Sequence, residues 1–184
     1  TTKIGDYAFF RTKMTAVRLP ASVTEIGTYA FAYSALAQVD PLPEGLTVIK
    51  DFAFRWCSLK EVTVPESVRQ IGEGVFGQNY GLRLDLRCRA CSCGWLVSYP
   101  DKKREQIRIL LPRHISISGE LTKDMRPAVI AGFAELYVRG ELEGDRSNDL
   151  RYIRNKRKEL YPLALEDGNV LRLMEAEQII PARD

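Results

Sequence analysis

Histidine is almost missing from this chain of 184 residues, which has His114 and no other. Triads and metal-water hydrolases usually need a histidine within reach of a nucleophile or ligand, and His114 directly follows Pro112-Arg113 at an expected strand end, so it reads as a turn residue. Cysteine is sparse as well, with Cys57, Cys88, Cys91 and Cys93. Zinc sites usually come as two spaced pairs, whereas Cys88 and Cys91 form a single CxxC. Cys57 and Cys93 are expected as small buried core residues. A zinc set completed by Cys57 or His114, or a disulfide, is the alternative reading of the cluster.

Long apolar runs are lacking too. Nothing approaches the roughly 18 residues that cross a bilayer, so no membrane insertion is expected. The first residues lack the pattern of a signal peptide, but the chain opens at Thr1 almost inside a repeat, and an upstream continuation is expected. Glycines fall at a repeat period and form no phosphate loop or dinucleotide fingerprint. No cofactor and no enzymatic activity are expected. The formal charge of +3 is concentrated: residues 79–120 carry eight basic and four acidic side chains, against eight and eight in 1–78 and eleven and twelve in 121–184. An excess of four is too small to predict nucleic-acid binding.

What is present is a repeat. Ile-Gly-Asp-Tyr-Ala-Phe and its variants run from Ile4 to Phe9, Ile26 to Phe31, Ile49 to Phe54 and Ile71 to Phe76, at steps of 22, 23 and 22 residues. A unit of this size cannot bury an apolar face alone and becomes stable when stacked on its copies. Between the phrases recur Val17-Arg18-Leu19-Pro20, Val39-Asp40-Pro41-Leu42-Pro43 with one residue inserted, and Val62-Thr63-Val64-Pro65. Each reads as a short strand closed by a proline that cannot donate to a ladder. Val23, Leu46 and Val68, three residues before each following Ile, mark a second extended piece. Gly5, Gly27 and Gly72 fit a place of positive φ, although Lys50 stands there in the third unit. The Ala-Phe pair is expected in a short helical turn, its ring inward and stacked from coil to coil.

The repeat then decays. Leu82 to Leu86 fits a fourth strand, Cys93-Gly94 replaces Ile-Gly in a degenerate fifth coil, Pro100 to Arg104 takes up the extra residues as a turn, and Ile109-Leu110-Leu111-Pro112 repeats the strand. Ile115 to Gly119 is the expected last extended piece, and the solenoid, about five coils, is expected to end near residue 120. Beyond it, apolar residues at helical spacing predict helices over about 123–138, 147–160 and 169–178, a cap on the solenoid or the start of another helical array. Asp149 and Arg157-Lys158 are placed near the favourable ends of the second helix. The cluster Arg151, Arg154, Lys156, Arg157 and Lys158 reads as a solvated face with internal ion pairs.

These phrases, together with Leu59-Lys60-Glu61-Val62-Thr63-Val64-Pro65 and Cys57 three residues after Phe54, resemble the BspA-type leucine-rich repeat of treponemal and gut bacteria over residues 1 to about 86. The resemblance implies an α/β repeat fold, a right-handed curved leucine-rich-repeat solenoid with short parallel strands in one sheet, here followed by a helical C-terminal segment. It also implies a surface protein that adheres to host matrix or to other bacteria.

Period-two alternation turns Ala16 and Arg18, Gln38 and Asp40, Glu61 and Thr63, and Arg83 and Asp85 away from the core. Of these, Arg18, Gln38, Asp40, Glu61, Thr63, Arg83 and Asp85 are the candidate ligand-binding residues. The function expected is a non-catalytic module that binds a protein partner through this face. The alternative is an intracellular scaffold whose helical segment docks the partner. Tyr7, Tyr29 and Phe52 recur once per coil on another side, where partial burial beside the Phe stack is expected and an aromatic ladder presented on that face is the alternative.

Overall fold

The computed structural model describes residues 2–88, 108–111, 117 and 126–180, in two compact units, Thr1–Ile107 and Arg108–Asp184. The expected fifth coil with Cys91 and Cys93, the turn at Pro100 to Arg104, most of the last extended piece, His114 and the expected boundary near 120 lie outside the described residues.

The first unit is a β-solenoid of four described coils. One column of strands, β1 (Lys3–Ile4), β3 (Glu25–Ile26), β5 (Val48–Ile49) and β7 (Gln70–Ile71), pairs in parallel with the repeat register, Ile4 to Ile26 to Ile49 to Ile71. A second column holds β2 (Ala16–Val17), β4 (Gln38–Val39), β6 (Glu61–Val64) and β8 (Arg83–Leu86). It is not the one continuous sheet expected. β2 pairs with β4 and β6 with β8. The break falls where one residue is inserted and where Pro41, lacking an N–H, stands two residues past the end of β4.

Between the columns the Phe phrase makes tandem turns rather than a helix. Ala8 N donates to Gly5 O and Thr12 N to Phe9 O within the coil, while Tyr7 N, Phe9 N and Arg11 N donate to Thr28, Ala30 and Ala32 carbonyls of the next. Alternate amides thus serve the turn and the stack, so the backbone is satisfied without a regular helix. The positive φ is not at the phrase glycine, as expected, but two residues later, at Tyr7, Tyr29, Phe52 and Gly74, and again at Arg11, Tyr33, Trp56 and Gln78.

The phrase glycine serves close approach instead. A Cβ on Gly27 would lie 2.5 Å from the Asp6 carboxylate and 2.6 Å from the Asp6 nitrogen, and Gly72 is crowded in the same way by Asp51. Those carboxylates accept the next amides, Thr28 N and Glu73 N, each at 2.8 Å. The third coil follows a coil with Thr28 in the Asp place. Lys50 is accommodated there, and its ammonium reaches Glu25 at 2.7 Å.

The rings of Phe9, Phe31, Phe54 and Phe76 stack as expected, 5.1, 5.1 and 5.7 Å apart and within 9° of parallel. Ile26, Ile49, Leu36, Leu59 and Leu82 complete the buried interior around them. Beside the stack runs a column of small polar side chains, Thr12, Ser34, Cys57 and Asn79, one per coil. Thr12 Oγ1 donates to Phe9 O, Cys57 Sγ to Phe31 O, and Asn79 Nδ2 to Phe54 O and Phe76 O.

In the second unit, β9 (Arg108–Leu110) precedes α1 (Arg126–Arg139), α2 (Ser147–Glu166) and α3 (Gly168–Ala176). Gly132 of α1 lets its backbone meet Ile109 O of β9, where a Cβ would collide. Val129, Ile130, Phe133, Ile153, Leu160, Val170, Leu173 and Met174 are buried. Arg108 joins the buried carboxylates Glu135 and Asp167 at 3.3 and 2.8 Å. Asp167 also caps α3 by accepting Asn169 N.

The expected end of α2 is corrected. The helix runs six residues past Leu160 and through Pro162, whose position is exposed, so water can take the helical carbonyl left without its donor. Arg157 and Lys158 therefore lie inside the helix rather than at its end. Asp149 lies in the first turn of α2, as expected, and is buried, accepting Ile117 N at 2.9 Å and Arg146 at 3.2 Å.

Candidate functional site

The outward residues of the second column gather in two groups. In the first, β2 and β4 set Ala16 beside Gln38, and just past the strands Arg18 Nε lies 3.5 Å from Asp40 Oδ2. Asp40 is positioned by its own amide, which donates to Val17 O. A cleft of about 490 Å³ opens here, lined by Arg18, Leu19, Pro20, Ala21, Asp40, Pro41 and Pro43. The strand-closing prolines thus make an apolar floor with one cation and one anion on it.

In the second group, β6 and β8 pair Glu61 with Arg83 and Thr63 with Asp85. Arg83 reaches Glu61 at 2.7 Å, and Arg87 approaches Asp85 at 3.5 Å. Alternation is as expected: Val62, Val64, Leu84 and Leu86 are buried, while Glu61 is exposed and Thr63, Arg83 and Asp85 are half-buried. All seven candidate residues therefore face outward. The insertion separates Arg18, Gln38 and Asp40 from Glu61, Thr63, Arg83 and Asp85 as far as strand pairing goes. The charges are largely matched within the face, and such exposed pairs are worth at most about 1 kcal/mol each.

The polar residues of the first column were not singled out from the sequence. Glu25 lies between Lys3 and Lys50, 2.7 Å from each. Hydrogen bonds from Lys3 and then Lys50 pull its carboxyl down to about 2. The signal was available, since Lys3 and Glu25 share a register position, but Lys50 stood out only as a missing glycine.

Among the described residues no group of three or more His, Cys, Asp and Glu side chains could hold a metal. Cys57 is buried, as expected. Burial pushes its thiol up, partly opposed by Ser34, whose Oγ lies 3.6 Å from Sγ. Cys88 is buried as well. No helix is long and apolar enough to cross a membrane among the described residues. In the basic cluster of α2, Lys156 pairs with Glu159, Arg154 with Glu177 O and Arg151 with Asn148.

A family model described as BspA type leucine rich repeat region matches residues 2–84, in six copies. This stretch is similar to BspA-type leucine-rich repeats. Two solved structures are similar to the chain. The leucine-rich repeat protein of T. pallidum is 26% identical, with 62% of this chain and 54% of that one covered and a TM-score of 0.45. A leucine-rich repeat protein from Bacteroides ovatus ATCC 8483 is 25% identical, with 62% and 36% covered and a TM-score of 0.39. The chain thus spans less than two thirds of either protein's length. No curated protein matches it. The leucine-rich repeat region fits a protein-interaction module.

Proposed function

We propose that the chain is a non-catalytic protein-binding module of a cell-surface or secreted protein, which adheres to host matrix or to another cell through the outward residues of its second strand column. In this reading the solenoid extends to about residue 120 and is followed by the helical segment from 121 to 184. Arg18, Gln38 and Asp40 around the proline cleft would take one part of the partner, and Glu61, Thr63, Arg83 and Asp85 the next. The observation that carries the reading is the register. Within each pair of strands the repeats align these side chains coil upon coil on the outward side, above a core that needs none of them.

The experiment is capture of matrix proteins by the full chain, compared with the triple variant Arg18→Glu, Asp40→Lys, Glu61→Lys. Loss of capture with an unchanged melting curve supports the face. Retention of every captured protein by the folded triple variant overturns it.

A further inference from the structure

The side of the solenoid carrying the tandem turns differs in chemistry from the strand face. Residues 8–15, 30–37, 53–60 and 75–82, the corresponding eight in each coil, contain no Asp or Glu, while they carry Arg11, Lys13, Arg55 and Lys60. Of the nine acidic residues of 2–88, Asp6, Asp51 and Glu73 stand at the start of the same turns, and the other six lie elsewhere in the coils. The same segments supply the row Phe10, Arg11, Tyr33, Arg55, Trp56 and Tyr80. Phe10 meets Tyr33 edge-on at 5.6 Å, Tyr33 stacks on Trp56 at 6.0 Å, and Trp56 meets the edge of Tyr80 at 6.4 Å. Arg11 lies 5.3 Å over Phe10 and 5.9 Å over Tyr33, and Arg55 lies 5.2 Å over Phe52.

Packing does not account for this row. Tyr33 and Trp56 are 42% and 43% exposed, so much of their apolar surface stays in water. Their backbones sit at φ +56° and +52°, and Arg11 at +56°, a region that bulky side chains rarely occupy. At the other left-handed place of the coil, Gly74 makes the turn at φ +57°. A small residue would therefore serve the fold, whereas these positions carry the Tyr, Trp and Arg that dominate protein interfaces.

We infer that this row is a second docking surface, for an extended acidic segment of a protein partner with apolar side chains between its carboxylates. A guanidinium placed over a ring still offers N–H groups to a carboxylate; Arg55 gives its Nε–H to Gln78 Oε1 at 2.9 Å and keeps its terminal N–H groups for such a contact. The ring edges and the Tyr hydroxyls offer apolar and hydrogen-bonding contacts in alternation. Four coils at strand spacing span roughly 15 Å, the reach of four to five extended residues. A nucleobase or a sugar would need an open ring face. Arg11 and Trp56 cover the two faces of Tyr33, and Tyr7 and Phe52 those of Tyr29. The inference does not depend on the strand face binding anything.

The test is fluorescence anisotropy of a short labelled peptide of alternating Glu and Leu, with its Lys-for-Glu counterpart and an oligothymidylate of equal charge as comparisons, on the full chain at low salt. The Glu peptide is expected to bind and the other two to bind at least about tenfold more weakly. Arg11→Ala with Lys13→Ala, both exposed and foldable, and separately Trp56→Ser, should weaken it by a similar factor. The strand-face triple variant should leave it unchanged. Absence of Glu-peptide binding, indifference to the Arg11 and Trp56 substitutions, or loss in the strand-face variant instead would overturn the inference. Equal binding of the oligothymidylate would overturn the assignment to a protein segment.

Discussion

The rings of Phe31 and Phe54 lie 5.1 Å apart with 3° between their planes, and both are buried. Each ring contacts the next coil, so the stack couples units that are unstable alone. Phe54→Ala removes a ring with partners on both sides and should cost about 3–5 kcal/mol. Phe9, half-buried and stacked on one side only, should cost less when truncated. Urea denaturation of the two variants checks the order, and equal losses would contradict the stack as the coupling element.

Gly72 is where the Asp51 carboxylate folds over the next coil. Adding one methyl there forces Asp51 or the backbone away, so Gly72→Ala should destabilise by about 1–3 kcal/mol, the usual range for overpacking. Gly5 occupies the same place in the first coil, and a Cβ added to it would have nothing within 4 Å. Gly5→Ala should therefore be close to neutral. Denaturant midpoints of the pair decide whether the glycine answers to its neighbour or to its own turn.

Asn79 is buried, gives its amide hydrogens to Phe54 and Phe76 carbonyls, and accepts Leu59 N at 3.1 Å. Asn79→Ala leaves the Leu59 amide without that acceptor inside the core. The expected loss is about 1–3 kcal/mol, with faster hydrogen exchange at Leu59 than at other buried amides of its coil. Unchanged protection of Leu59 would show that another group takes over.

Much of this fold was legible because the repeat period ties residue to place. The stacked Phe rings, the paired Ile column and the outward alternation of Arg18, Glu61 and Arg83 all follow from spacing. The left-handed backbone at Tyr33 and Trp56 was not legible, since residue type argues against it and only the need to serve both turn and stack explains it. The small polar column was visible as Thr12, Ser34, Cys57 and Asn79 three residues after each Phe, but not its purpose, which depends on where the Phe carbonyls point. The split of the strand face follows from a single insertion beside Pro41. That residue was visible as an insertion, while its effect on pairing required the neighbouring coil. In the helical unit, spacing located the helices, and burial of Asp149 against Ile117 depended on a contact far along the chain.

Glu25 offers the last test, because its position can be read by titration. Lys3 and Lys50 hold it from either side, and their hydrogen bonds lower its carboxyl from 4.5 to about 2. A carboxyl more acidic in the folded than in the unfolded chain stabilises the fold above its unfolded value. That contribution is lost as pH falls from about 4.5 to about 2. Glu25→Gln should remove this part of the acid sensitivity, and added salt should weaken it in the wild type because the groups face water. Stability measured against pH for both proteins, with the Glu25 carboxyl followed by NMR, gives the answer. A folded-state midpoint near 4.5 would mean that the two lysines do not hold the carboxylate between them in solution.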